Sequence, residues 1–178
     1  TRCKASGYND STIHTSADGS IKITECTFEN NCAPVNIAHK QAGTMEVMIE
    51  NSSFTGCGST STANNLNQYA APIRFVNNGS GTLTAVVDVV TITNTVGENG
   101  DILLGDGRTG KKSTHVSAEI TGTNATVQVQ YPGDWNGGTL NESVVKTEVT
   151  ASSGGTVSNA VAKIGKQGYT SLADAVAA

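Results

Sequence analysis

His14, Asn36 and Arg74 are the side chains of this chain whose types could do chemistry together. Each is the second residue of a short apolar–polar pattern: Ile13-His14-Thr15, Val35-Asn36-Ile37 and Ile73-Arg74-Phe75, with Ile102-Leu103-Leu104 as a fourth. Alternation along a strand turns these second residues outward. They are expected to form a polar column on a solvated sheet face, flanked by His39, Asp101 and Asp106. An imidazole, an amide and a guanidinium supply hydrogen-bond donors and acceptors, which suits a shallow carbohydrate contact site. Trp135, beside Asp134, Gly137 and Gly138, could stack on a sugar or cover an open end of the fold.

Catalysis asks for more than this. Abstracting a sugar proton needs a calcium-binding carboxylate cluster and a base, and glycoside hydrolysis needs two carboxylates at a set separation. Glu50 and Asp88 read as isolated, so no catalytic residue is assigned and no metal or cofactor is expected. Gly105 to Ser113 resembles a phosphate loop only in composition. Its glycines and lysines miss the required spacing, and no helix pattern follows. Sequons at Asn9, Asn51, Asn78, Asn124 and Asn141 matter only in a host that glycosylates.

Cys3, Cys32 and Cys57 each precede a loop that leads to a strand of the Ile13 type, while Cys26 falls in a column with Ser52 and Val90. This spacing follows a repeat. It favours a ladder of small buried thiols, all four reduced, although four cysteines also allow three disulfide connectivities. The absence of a Cys-x-x-Cys pair and the scatter of the histidines speak against zinc.

The elements that must position these residues come from the repeat itself. Aromatic residues are 4% and charged residues 15% of the 178, with 20 glycines. Thr and Val crowd the rest and favour pleated strands, while Gly and Asn favour corners. The fold class is therefore all-β. Ile13, Val35, Ile73 and Ile102 align as one column. Ile23…Phe28, Ile49…Phe54, Val87…Ile92 and Ile120…Ala125 align as a second set. An irregular period with a regular unit fits coils joined by variable loops, the largest being the polar insertion Ser59 to Tyr69. The pattern predicts a right-handed parallel β-helix, a solenoid stub of about 4–6 coils over residues 1–131. Residues 1–10 read as a corner from a coil that starts upstream. A β-rich extension is expected over 132–159, then a hairpin and a short helix over 160–178, as a cap or the start of a following module. Ser171-Leu172-Ala173-Asp174 would cap that helix.

Two stretches carry a resemblance to known families. Thr24 to Asn31 and Glu50 to Cys57, of the form I-x-N/C-S/T-x-F-x-N/G, resemble coils of the pectin-lyase-like superfamily of right-handed parallel β-helices. That superfamily's enzymes carry acidic clusters and basic residues on the outer face of one parallel sheet. The Asp-Asp and Gly-His-Gly motifs of its polygalacturonases are absent here. Val161 to Val176 is similar to the opening of modules in large surface proteins of gut-type Gram-positive bacteria.

The expected function is a non-catalytic segment of a modular bacterial cell-surface or secreted protein, acting as a stalk or as an adhesive or glycan-binding surface. The alternatives are a truncated polysaccharide-active enzyme and an ice- or surface-binding solenoid. The last needs Thr-x-Thr rows in register, of which Thr91-Ile92-Thr93 is the one legible example. Expected partners are glycans or a host or cell-wall surface, with the piece itself monomeric. A net charge of −4 without a basic stripe gives no reason to expect nucleic acid. The apolar runs are too short to span a bilayer.

Overall fold

The computed structural model describes residues 3–105, 116–121, 125, 127–130, 162–164, 167–169 and 176. The chain moves through three sheets in rotation. Strands β1 (Cys3–Ser6), β2 (Ile13–Thr15) and β3 (Gly19–Thr24) make the first round, and β4 (Cys26–Glu29), β5 (Val35–His39) and β6 (Thr44–Glu50) the second. The third round is β7 (Ser53–Thr55), β8 (Ile73–Asn77) and β9 (Thr82–Asp88). It is followed by β10 (Thr91–Thr93), β11 (Ile102–Gly105), β12 (Val116–Thr121) and β13 (Val127–Gln130). The sheets run β1-β4-β7-β10, β13-β11-β8-β5-β2 and β12-β9-β6-β3, and every pairing in them is parallel. This all-β arrangement of three parallel sheets is compatible with a parallel β-helix or solenoid. Beyond it, β14 (Ala162–Ile164) and β15 (Gln167–Tyr169) form an antiparallel pair. Of the helix expected from Leu172, only Val176 is among the described residues, and the 132–159 extension lies outside them.

Like residues stack on like residues because a parallel register puts each side chain beside its counterpart in the next round. Ile13, Val35, Ile73, Ile102 and Val127 are successive register partners, as are Ile23, Ile49, Val87 and Ile120. Phe28, Phe54 and Ile92 form the third interior column, with the two rings stacked 4.8 Å apart at 14°. Val35, Ile73 and Ile102, the Ile23 and Phe28 columns and Ala125 belong to one buried core, with half-buried Ile13 packed against it.

Single left-handed residues make the corners. Glu25, Asn51 and Val89 turn the chain between the third-sheet strand and the next strand, at φ 54°, 50° and 50°. Gly7, Asn30, Gly56 and Asn94 make the corresponding turn after β1, β4, β7 and β10. Asn and Gly tolerate this region best. The corner amides stay in the ladder: Asn30 N–H reaches Thr55 O at 2.9 Å and Gly56 N–H reaches Thr93 O at 3.0 Å. Gly58 bridges to Val96 at φ 113°, where a Cβ would run into the Val96 carbonyl.

Two expectations about this region are corrected. The insertion after Cys57 is more than a polar loop. It forms a 3₁₀ turn at Ala63–Asn65 and a one-turn helix α1 (Leu66–Tyr69), whose Leu66 and Tyr69 are buried with Ala33, Ala70, Ala71 and Leu103 in a second apolar cluster. Asn99 fastens this cover, donating from Nδ2 to the carbonyls of Asn67 and Ala70, each at 3.0 Å. The ladder of four reduced thiols is also overturned. Cys3 and Cys26 are register partners on β1 and β4, with Cα atoms 4.6 Å apart, and they form a disulfide. Cys32 and Cys57 are free.

Candidate functional site

The second sheet brings His14, Asn36, Arg74 and Leu103 into direct register. The face is not uniformly solvated, which corrects the expectation for this column. His14 is exposed, Asn36 is 7% exposed, Arg74 1% and Leu103 0%. Burial deepens along the column because the α1 cover lies over its far end and leaves the near end open. The result is a cleft of about 330 Å³, walled by Tyr69 and floored by His14, Asn36 and Arg74, with Asp10, Ser11, Lys40 and Asn78 around it.

A one-way run of hydrogen bonds organises the floor. Arg74 Nη1 donates to Asn36 Oδ1 at 2.7 Å, Asn36 Nδ2 donates to Ser11 Oγ at 2.9 Å, and Ser11 Oγ donates to Asp10 Oδ1 at 3.3 Å. The Arg74 guanidinium lies 5.0 Å from the centroid of the Tyr69 ring, a cation–π contact that helps hold a charge so deeply buried. Asn36 is held in one amide orientation, since its oxygen meets a donor and its nitrogen an acceptor. Asp10 Oδ1 also accepts the Ser11 backbone N–H at 2.8 Å, so this carboxylate is turned onto its own turn. The cleft thus offers fixed polar groups beside an exposed imidazole and an ammonium, an arrangement suited to hydrogen-bonding a polyhydroxylated ligand.

His39 does not join this column. It lies on the opposite side of the β5 alternation and is fully buried, with Nδ1 3.2 Å from Asn77 Oδ1 and Nε2 2.7 Å from Asp18 Oδ1. Asp101 accepts a hydrogen bond from Thr95 Oγ1. Trp135 and Asp106 lie outside the described residues. Sequence reasoning missed Lys40 and Asn78, yet the same alternation reaches them: 36, 38, 40 and 74, 76, 78 run along one side of β5 and β8 and past their ends. It also missed Tyr69, whose only signal is its three-residue spacing from Leu66 in a polar insertion.

Glu50 and Asp88 are not isolated either, because β6 and β9 set them side by side on the third sheet. Lys22 Nζ is 2.6 Å from Glu50 Oε1, and this hydrogen bond holds the Glu50 carboxyl below the usual carboxylate range, aided by Thr24 and opposed by desolvation and Asp88. Among the described residues no group of three His, Cys, Asp or Glu side chains is placed to hold a metal ion. No described helix is long and apolar enough to cross a membrane, which says nothing of a β-barrel. The fold and cleft define a class: an all-β chain of stacked parallel sheets with a polar cleft on one outer face. Comparison with protein-family models, curated proteins and solved structures returns no match.

Proposed function

We propose that this chain is a non-catalytic segment of a modular bacterial surface or secreted protein, a right-handed parallel β-helix of pectin-lyase-like type that contacts carbohydrate through the cleft beside Tyr69. The observation that carries this reading is the cleft floor, where Arg74, Asn36 and Ser11 are locked in place and exposed His14 and Lys40 stand beside them. Prearranged polar groups lose little freedom on binding, so a weak, repeated sugar contact gains most from them. A two-carboxylate hydrolase needs a second acid facing Asp10. The described lining supplies Asp10 alone, so the reading is contact without turnover. The test is a printed array of host and cell-wall oligosaccharides. Binding should fall in His14→Ala and Lys40→Ala while the melting temperature stays put, and release of sugar fragments from any polysaccharide on the array would reverse the reading.

A second reading, a surface-binding solenoid, gains one observation. Thr27, Ser53 and Thr91 are register partners on the first sheet, and Thr55 and Thr93 form a parallel column two residues along. Ser53 Oγ meets Thr27 Oγ1 at 3.3 Å and Thr55 Oγ1 meets Thr93 Oγ1 at 3.2 Å. Ice-recrystallisation assays on the wild type and on Thr55→Lys would decide it, with no difference between them counting against it.

A further inference from the structure

Lys40 and Asn78 line the cleft, and each directly follows a buried polar residue, His39 and Asn77, which are register partners on β5 and β8. The backbone ties the rim to this pair. Asn78 N–H donates to the His39 carbonyl at 2.8 Å, and Lys40 N–H donates to Ser16 O at 3.1 Å. The orientation of the Asn77 amide is fixed independently of the histidine. Its Oδ1 accepts the Gly79 N–H at 3.2 Å and its Nδ2 donates to Gly81 O at 2.8 Å. A flipped amide would set donor against donor and acceptor against acceptor.

An oxygen therefore faces His39 Nδ1, which must carry a hydrogen. On the other side of the ring, Nε2 meets a carboxylate oxygen of Asp18. A neutral imidazole has one N–H, so satisfying both contacts takes one more proton, on Nε2 or on the Asp18 carboxyl. Without it, either Nε2 turns a lone pair on Asp18 or the ring changes tautomer and Nδ1 turns a lone pair on Asn77. Among the described residues the charged group facing the ring is Asp18, from the turn between β2 and β3. Strand β8 presents Asn77, and Lys40 follows His39 in the chain. Gly43, from the turn between β5 and β6, backs the Asp18 carboxylate so closely that a Cβ would overlap it.

We propose that Asp18, His39 and Asn77 form a proton-dependent positioning unit for the Lys40–Asn78 rim, so that ligand binding in the cleft weakens as rising pH removes the shared proton. The inference rests on the reading of the cleft as a contact site. The experiment follows the amide signals of Lys40, Asn78, Gly79 and Gly81 and the His39 ring by NMR between about pH 6 and about pH 9. Binding to the oligosaccharide array is read at both ends of that range. The rim amides should move in one step with the ring, and array binding should drop roughly two- to tenfold, the span of one hydrogen bond. Asp18→Asn is the decisive variant. Its amide N–H can donate to Nε2 while Nδ1–H still reaches Asn77, so the unit is complete without the extra proton. Rim signals and binding should then hold constant across the range. Rim amides that stay still in the wild type, or an Asp18→Asn chain that titrates like the wild type, would overturn the inference. Rim amides that move with no array signal at either pH would bear out the positioning unit and overturn the contact-site reading.

Discussion

Arg74 Nη1 donates to Asn36 Oδ1 at 2.7 Å beneath the Tyr69 ring, joining two strands that are neighbours in space but 38 residues apart in sequence. This bond and the Tyr69 ring over the guanidinium are part of what holds a charge that is 1% exposed on the outer side of a sheet. They also make Arg74 a structural residue first, so a binding assay on Arg74→Ala would read loss of fold along with loss of contact.

The cost of breaking that bond depends on which partners remain. Arg74→Leu, which copies Leu103 one round further on, should destabilise the protein by about 1–3 kcal/mol because Asn36 Oδ1 is left buried without its donor. Adding Asn36→Leu should recover a good part of the loss, since removing both partners leaves less unsatisfied. Chemical denaturation of the two variants measures the difference. A double variant no more stable than Arg74→Leu alone would refute this account.

The thiols should divide by position. Burial pushes the Cys57 thiol up from its ordinary range, with Sγ held against the carbonyls of Phe28 and Thr55, while Cys32 is only half-buried. An aromatic disulfide reagent should label Cys32 in the native protein and reach Cys57 only on unfolding. Unfolded but unreduced protein should titrate two thiols, and reduction should raise that to four.

Val89 sits at φ 50° and is 53% exposed, in the corner column that Glu25 and Asn51 also occupy. A β-branched residue fits that region poorly, and its exposed side chain gives little packing in return. Val89→Asn should stabilise the chain by about 1 kcal/mol, seen as a rise of a few degrees in melting temperature. An unchanged or lower midpoint would show that the corner carries no such strain.

Acid should weaken the third sheet's outer face. The Lys22 hydrogen bond lowers the Glu50 pKa in the folded chain, so its contribution is present above the ordinary carboxylate pKa and is lost as pH falls through the lowered folded value. Salt should screen it, because the pair is at the surface. Glu50→Gln should flatten the acid limb of the melting-temperature profile at low salt, and identical limbs would reject the assignment.

Interior columns were legible in the sequence because stacking rewards identity. A parallel register puts Ile13 on Val35, Val35 on Ile73 and Ile73 on Ile102, and each repeat states the same alternation. Corners were legible where Asn or Gly marks them, as at Asn30, Asn51 and Gly56, but Val89 gives no such mark. The site was half legible. Alternation puts His14, Asn36 and Arg74 in one column, yet it cannot say what lies above a sheet face. That was decided by the insertion, whose Leu66 and Tyr69 fold back over Leu103 and turn an open face into a cleft. The Cys3–Cys26 pairing and the Asp18–His39–Asn77 unit were likewise tertiary outcomes. Each depends on which residues of separate rounds come within a few ångströms, and the irregular loop lengths hide that distance from any reading along the chain.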